Sequence, residues 1–77
     1  MKIKRNAVNS LQVCSVGYDA KLKILELEFL DHSVIQYLDF SIEAYVELML
    51  VNGFDEQYFR QHVFGKYKEN LVLQANH

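Results

Sequence analysis

The side chains best suited to recognition cluster near the end of the 77-residue chain. Arg60, His62, Lys66, Tyr67 and Lys68 fall in one short stretch. Cations interleaved with rings suit a nucleic-acid backbone, because ammonium and guanidinium groups contact phosphates while a flat ring stacks on an unpaired base. Tyr37 joins them, since a sheet-borne tyrosine is a stacking platform worth about 1–3 kcal/mol per base. Each candidate also has a plainer role. Ile35 shares a strand face with Tyr37, and isoleucine is a core residue, which points Tyr37 to a place beneath a helix with its hydroxyl at the rim. The basic stretch is in the first instance an ordinary solvated helix end, where the dipole favours cations.

Other reactive residues point to less. Glu26 and Glu28 are two apart on an extended segment and share a face, the geometry of a carboxylate pair, but alternating glutamates are also simply the wet side of a sheet. Cys14 has no histidine or aspartate nearby in sequence and is expected to be a small buried hydrophobe. His32 sits in a turn, His62 on a helix and His77 at the end, so no metal-ligand spacing exists. Three glycines cannot build a phosphate loop. No catalytic residue, cofactor or metal is expected, and the chain is not expected to be an enzyme.

The elements that must position these residues follow from periodicity. Leu11–Tyr18 is β-branched and precedes a turn at Tyr18-Asp19-Ala20-Lys21, so it is expected to be a strand, with Gly17 marking a bulge or a close backbone approach. Leu25, Leu27 and Phe29 alternate with Glu26 and Glu28, the pattern of a strand with one buried and one wet face. Asp31-His32-Ser33 turns the chain into a third strand, Val34–Leu38. Short turns make these three an antiparallel meander.

At Ser41 the period changes. Ser41 is a good N-cap, Glu43 suits the first turn, and Ile42, Tyr45, Leu48, Met49 and Asn52 follow helical spacing to a stop at Asn52-Gly53. Asp55 caps a second helix bearing Tyr58, Phe59, His62, Val63 and Phe64, with Gly65 as its stop. Leu71-Val72-Leu73 is read as either a short extra strand or a docked tail. The expected fold class is α+β: a three-stranded antiparallel meander followed by two helices (β-β-β-α-α), with the helices packed on one sheet face. The chain is read as one domain over 1–77, with an ordered core at about 8–67 and flexible or loosely docked ends at 1–7 and 68–77.

Composition narrows the partners. Residues 6–59 carry nine carboxylates against Lys21 and Lys23, while Lys2, Lys4 and Arg5 precede them and Arg60, Lys66 and Lys68 follow. A net-positive face for nucleic acid could be assembled only from the two ends. The chain is 51% hydrophobic, a surplus that suits a partner surface or a homodimer. No apolar run is long enough to span a membrane and no apolar segment follows the basic start, so neither a membrane anchor nor a secretory leader is expected. A single cysteine excludes an internal disulfide, and the cytoplasm is the expected compartment.

The stretch from about Val8 to Tyr67 resembles the KTSC domain, a module found at the C-terminus of some lysyl-tRNA synthetases and as small stand-alone bacterial proteins. Val8-Asn9-Ser10 and Ser15-Val16-Gly17-Tyr18-Asp19 look like its start, and Leu25-Glu26-Leu27-Glu28-Phe29 is similar to its central strand. Ile35-Gln36-Tyr37 falls at its tyrosine-any-tyrosine motif, Tyr45 and Leu48 in its first helix, and Tyr58-Phe59, His62-Val63 and Lys66-Tyr67 in its last. The chain departs from the pattern at Ile35, which replaces the first motif tyrosine, at Ser41, where proline is usual, and by one extra residue near Asn52-Gly53-Phe54. The resemblance implies no established activity. Association with the synthetase implies RNA, tRNA in particular, as a ligand. The expected function is therefore a non-catalytic RNA-binding module; the alternative is a protein-interaction or homo-oligomerisation module, for which open sheet edges are the physical reason.

Overall fold

The computed structural model describes residues 2–51 and 53–74. Five strands form one antiparallel sheet in sequence order: β1 (Asn6–Ala7), β2 (Val13–Asp19), β3 (Ile24–Phe29), β4 (Val34–Tyr37) and β5 (Glu69–Leu73). Between β4 and β5 come two short helices, α1 (Ile42–Met49) and α2 (Glu56–Tyr58), the second continuing into a π-helical stretch, Phe59–Val63. This corrects the expected β-β-β-α-α order with its three-stranded meander. The sheet gains a strand at each edge, and the last strand follows the helices. Both added strands are defined by their partners: β1 sets Asn6 opposite Val16, and β5 sets Ile35 opposite Leu71.

Local chemistry sets the turns and caps. The Asp19 carboxylate accepts from the backbone N–H groups of Lys21 and Leu22 at 2.9 and 3.0 Å, closing the β2–β3 turn. Asp31 accepts from the Ser33 N–H at 3.0 Å and from its hydroxyl at 2.6 Å, closing the next. Ser41 Oγ accepts from Ala44 N–H at 3.1 Å, and Asp55 accepts from Gln57 and Tyr58, so both N-caps are as the sequence indicates. Helix α1 ends at Met49, short of the expected Asn52-Gly53 stop; Gly53 does take a left-handed conformation (φ 77°), while Asn52 lies outside the described residues. Gly65, at φ 73°, follows the π-helical stretch.

The core is a single cluster. Val13, Val16, Leu25, Leu27 and Tyr37 from the sheet meet Phe40, Leu48, Phe54, Phe59 and Val63. Val13 and Val16 are three apart yet both reach it, because pairing jumps from Val13–Phe29 to Ser15–Glu28. Cys14 is the extra residue of that bulge. It is therefore exposed rather than buried as the sequence suggested.

Candidate functional site

The opposite sheet face, carrying Glu26 and Glu28, was expected to be left for water or a partner. Over Gly17 and Glu26 it is instead covered by the chain's own start, while Glu28 and Gln36 stay half-buried and Asn70 exposed. Residues 2–5 cross over Gly17, where an added Cβ would collide with the Lys4 carbonyl oxygen and lie 2.8 Å from Ile3 Cγ2. Ile3 is buried, and Glu26 is only 5% exposed. Burial of a carboxylate demands partners. Arg5 donates to Glu26 from its guanidinium and to Ser15 Oγ at 3.1 Å; Gln36 donates to Glu26 at 2.9 Å and accepts from Asn70 at 3.1 Å. A polar network thus runs from the strap to β5, crossing the whole sheet.

Glu28 belongs to the same face. Ser15 donates to it at 2.9 Å, and His32 Nδ1 stands 3.7 Å away. The Ser15 hydrogen bond, opposed by partial burial and aided by Arg5, holds its pKa below the ordinary carboxylate value. Serine, glutamate and histidine in a row resemble a catalytic relay, but here the hydroxyl donates to the carboxylate and not to an imidazole. No base activates it. Among the described residues there is no group of three or more metal-ligating side chains.

The sequence-selected residues separate into two groups. Tyr37 has no exposed surface; its ring meets Phe59 edge-on at 6.1 Å, and no ring face is available to a base. Its hydroxyl makes no hydrogen bond of normal geometry to a described residue, and burial, followed by the Glu69 charge opposite it in the sheet, pushes its pKa far up. Arg60, His62, Lys66 and Lys68 are exposed. Among the described residues Arg60, Lys66 and Lys68 enter no ion pair. His62 lies against Tyr58, ring centroids 4.8 Å apart, and half-buried Tyr67 lies against Phe40 at 4.7 Å. Both rings are therefore partly committed to packing.

Two features escaped the candidate set. The first is the outer edge of the sheet. All five residues of β5 are exposed, and Leu71, Val72 and Leu73 keep 57%, 51% and 55% of their surface open. The signal in the sequence was the unbroken apolar triplet, which fits a tail as well as a strand. The second is a groove of about 450 Å³ floored by Phe29 and Phe59 and walled by Leu11, Leu30 and Phe64. Leu11, placed by the sequence inside a strand, projects with 84% of its surface exposed.

No helix among the described residues is long and apolar enough to cross a membrane. In comparisons with known proteins, the family model of the KTSC domain matches residues 9–67. The fold is also that of the crystal structure of a KTSC domain protein from Yersinia pestis, at 25% identity and a TM-score of 0.83, over 92% of this chain and 99% of that one. A search of curated proteins finds no match.

Proposed function

Since the chain belongs to the KTSC domain family, we propose that it is a non-catalytic binding module that associates with a second copy of itself along β5. The supporting observation is the open edge. A strand exposed along its full length, with three successive apolar side chains, offers unpaired backbone groups and apolar surface together. Proteins that must stay monomeric blunt such edges with charges, proline, short length or β-bulges. Strand β5 carries one irregularity, where pairing steps from Ile35–Leu71 to Val34–Leu73 and leaves Val72 as the extra residue. The other edge, β1, is only two residues long. On β5 the one charge is Glu69, at its start.

The sequence of β5 is compatible with antiparallel self-pairing, which has to take up the irregularity at Val72. A two-fold axis at Leu71 sets Glu69 across from Leu73 and Asn70 across from Val72, keeping the two carboxylates at opposite ends of the new ladder. Parallel pairing in register would set Glu69 beside Glu69, which is unfavourable. An exposed thiol at Cys14 is in keeping with a reducing cytoplasm, where it stays free. Sedimentation velocity over a wide concentration range tests the reading: the protein forms a dimer, and Leu71→Lys, which sets two ammonium groups against each other at the axis, is a monomer with unchanged circular dichroism. A wild type that remains monomeric throughout rejects it.

A second reading rests on the exposed Arg60, Lys66 and Lys68, which enter no ion pair among the described residues and are flanked by His62 and Tyr67. These form an RNA-backbone contact without Tyr37, whose ring is sealed in the core. Such a contact gives salt-dependent binding of tRNA or single-stranded RNA in fluorescence anisotropy, weakened in the Arg60→Ala/Lys66→Ala double variant. Binding that persists unchanged in that variant rejects the patch.

A further inference from the structure

Helix α1 packs by one face only. Leu48 is buried, and Ala44, Tyr45 and Met49 lie against the core beside it. Ile42, whose spacing groups it with Tyr45, Leu48 and Met49, is not among them. It is exposed, as are Val46 and Leu50. Leu50 is the C-cap and keeps helical dihedrals (φ −69°, ψ −38°), so the spiral runs through it. Four residues apart, the three side chains form one apolar ridge along the helix, about 12 Å from end to end.

One border of this ridge is acidic. At about 100° per residue, Glu43 and Glu47 fall on the side away from Tyr45 and Met49. Ile42, Glu43, Val46 and Glu47 together line one open depression, so apolar and anionic groups face the same space. The helix itself carries no lysine or arginine. Neither glutamate enters an ion pair among the described residues. Lys23, whose carbonyl accepts from the Phe40 N–H ahead of the helix, pairs with neither.

Shape and charge discriminate among occupants. A strand would bring unpaired backbone groups to a helix side that offers none in return. A second copy packed antiparallel on the ridge sets like flank against like and brings four carboxylates together. An anionic lipid surface is repelled by the same two groups. A helix satisfies its own backbone, takes a four-residue ridge into its grooves and can carry cations along one border. We propose that α1 docks a basic amphipathic helix of a partner protein. The partner's apolar side chains cover Ile42, Val46 and Leu50, and its lysines or arginines stand opposite Glu43 and Glu47. No residue of the ridge belongs to β5, so docking is independent of self-association.

The test is a nuclear magnetic resonance titration of the full chain with a leucine–lysine peptide whose leucines fall at i, i+3, i+4 and i+7. A scrambled peptide of the same composition keeps the charge without the apolar face. Saturable amide shifts centre on Ile42, Val46 and Leu50, and the scrambled peptide binds about tenfold more weakly, as the burial of one valine-sized side chain provides. Glu43→Gln/Glu47→Gln weakens binding roughly fivefold, as two exposed ion pairs provide. Val46→Ser weakens it roughly tenfold with unchanged circular dichroism. Absence of saturable shifts, shifts centred elsewhere, equal binding of the scrambled peptide, or affinity unchanged in either variant overturns the proposal. Shifts at α1 that grow with protein concentration alone, or with phosphatidylcholine vesicles alone, place a second copy or a lipid surface on the ridge and overturn it as well.

Discussion

Replacing Gly17 with alanine tests how the N-terminal strap is held. The new Cβ meets the Lys4 carbonyl oxygen and Ile3 Cγ2, with Arg5 Cγ 3.0 Å away. The first of these is backbone and cannot rotate aside, so the strap must lift. Lifting exposes Ile3, a loss of about 1.5–3 kcal/mol for a fully buried aliphatic side chain. It also draws Arg5 from Glu26, leaving Gln36 as the one remaining donor among the described residues to a buried carboxylate. Against this, alanine recovers about 0.5–1 kcal/mol of the glycine penalty in a strand. The Ile3 and glycine contributions alone leave a destabilisation of about 0.5–2.5 kcal/mol, and the loss of Arg5 from Glu26 adds to it, read by urea unfolding. The same substitution in a chain lacking residues 1–5 has no strap to displace. There it is neutral or stabilising by about 0.5–1 kcal/mol. Equal costs in the two backgrounds would refute the argument, since the penalty would then arise within the sheet itself.

Three further outcomes follow from the same geometry. Tyr37→Phe removes a buried hydroxyl that lacks a hydrogen bond of normal geometry, so chemical denaturation shows a gain of about 1 kcal/mol; a loss of that size means the hydroxyl has a partner. Asp55→Ala loses the cap of α2 and costs about 1 kcal/mol in the same assay. Glu28 and Glu56 have pKa values lowered by hydrogen bonds from Ser15 and Ser10, respectively, so each stabilises the fold above its ordinary value of 4.5 and loses that contribution as pH falls through the lower folded value. Ser10→Ala therefore narrows the stability difference between pH 7 and acid pH, while a difference unchanged from wild type shows that Glu56 gains nothing from Ser10.

How much of this was legible depended on what each segment answers to. Strand β3 could be read because strict alternation fixes its register within a few residues. The bulge at Cys14 breaks the same rule in β2, moving Val13 and Val16 onto one face and Cys14 into solvent. Strands β1 and β5 answer to distant partners. Asn6-Ala7 carries no strand signal of its own, and Leu71-Val72-Leu73 becomes a strand only by lying beside β4.

The site residues divide in the same way. Exposed Arg60, His62, Lys66 and Lys68 lie near a helix end, as their charge suggests. Tyr37 could not be placed, because alternation assigns it a face without saying which face the helices cover. Glu26 read as solvated for the corresponding reason: its cover, Arg5 and the strap, comes from a segment 21 residues away. The groove was hidden because the π turn changes the helical step, so Phe64 looks like a continuation of a stripe until the Phe59 carbonyl is seen to accept from it.

The most direct test of self-association is an isotope-filtered nuclear Overhauser experiment on a mixture of labelled and unlabelled protein. Pairing of β5 about Leu71 predicts intermolecular cross-peaks joining Glu69 to Leu73 and Asn70 to Val72. Intermolecular cross-peaks confined to other surfaces, or none at concentrations where the protein sediments as a dimer, would contradict it.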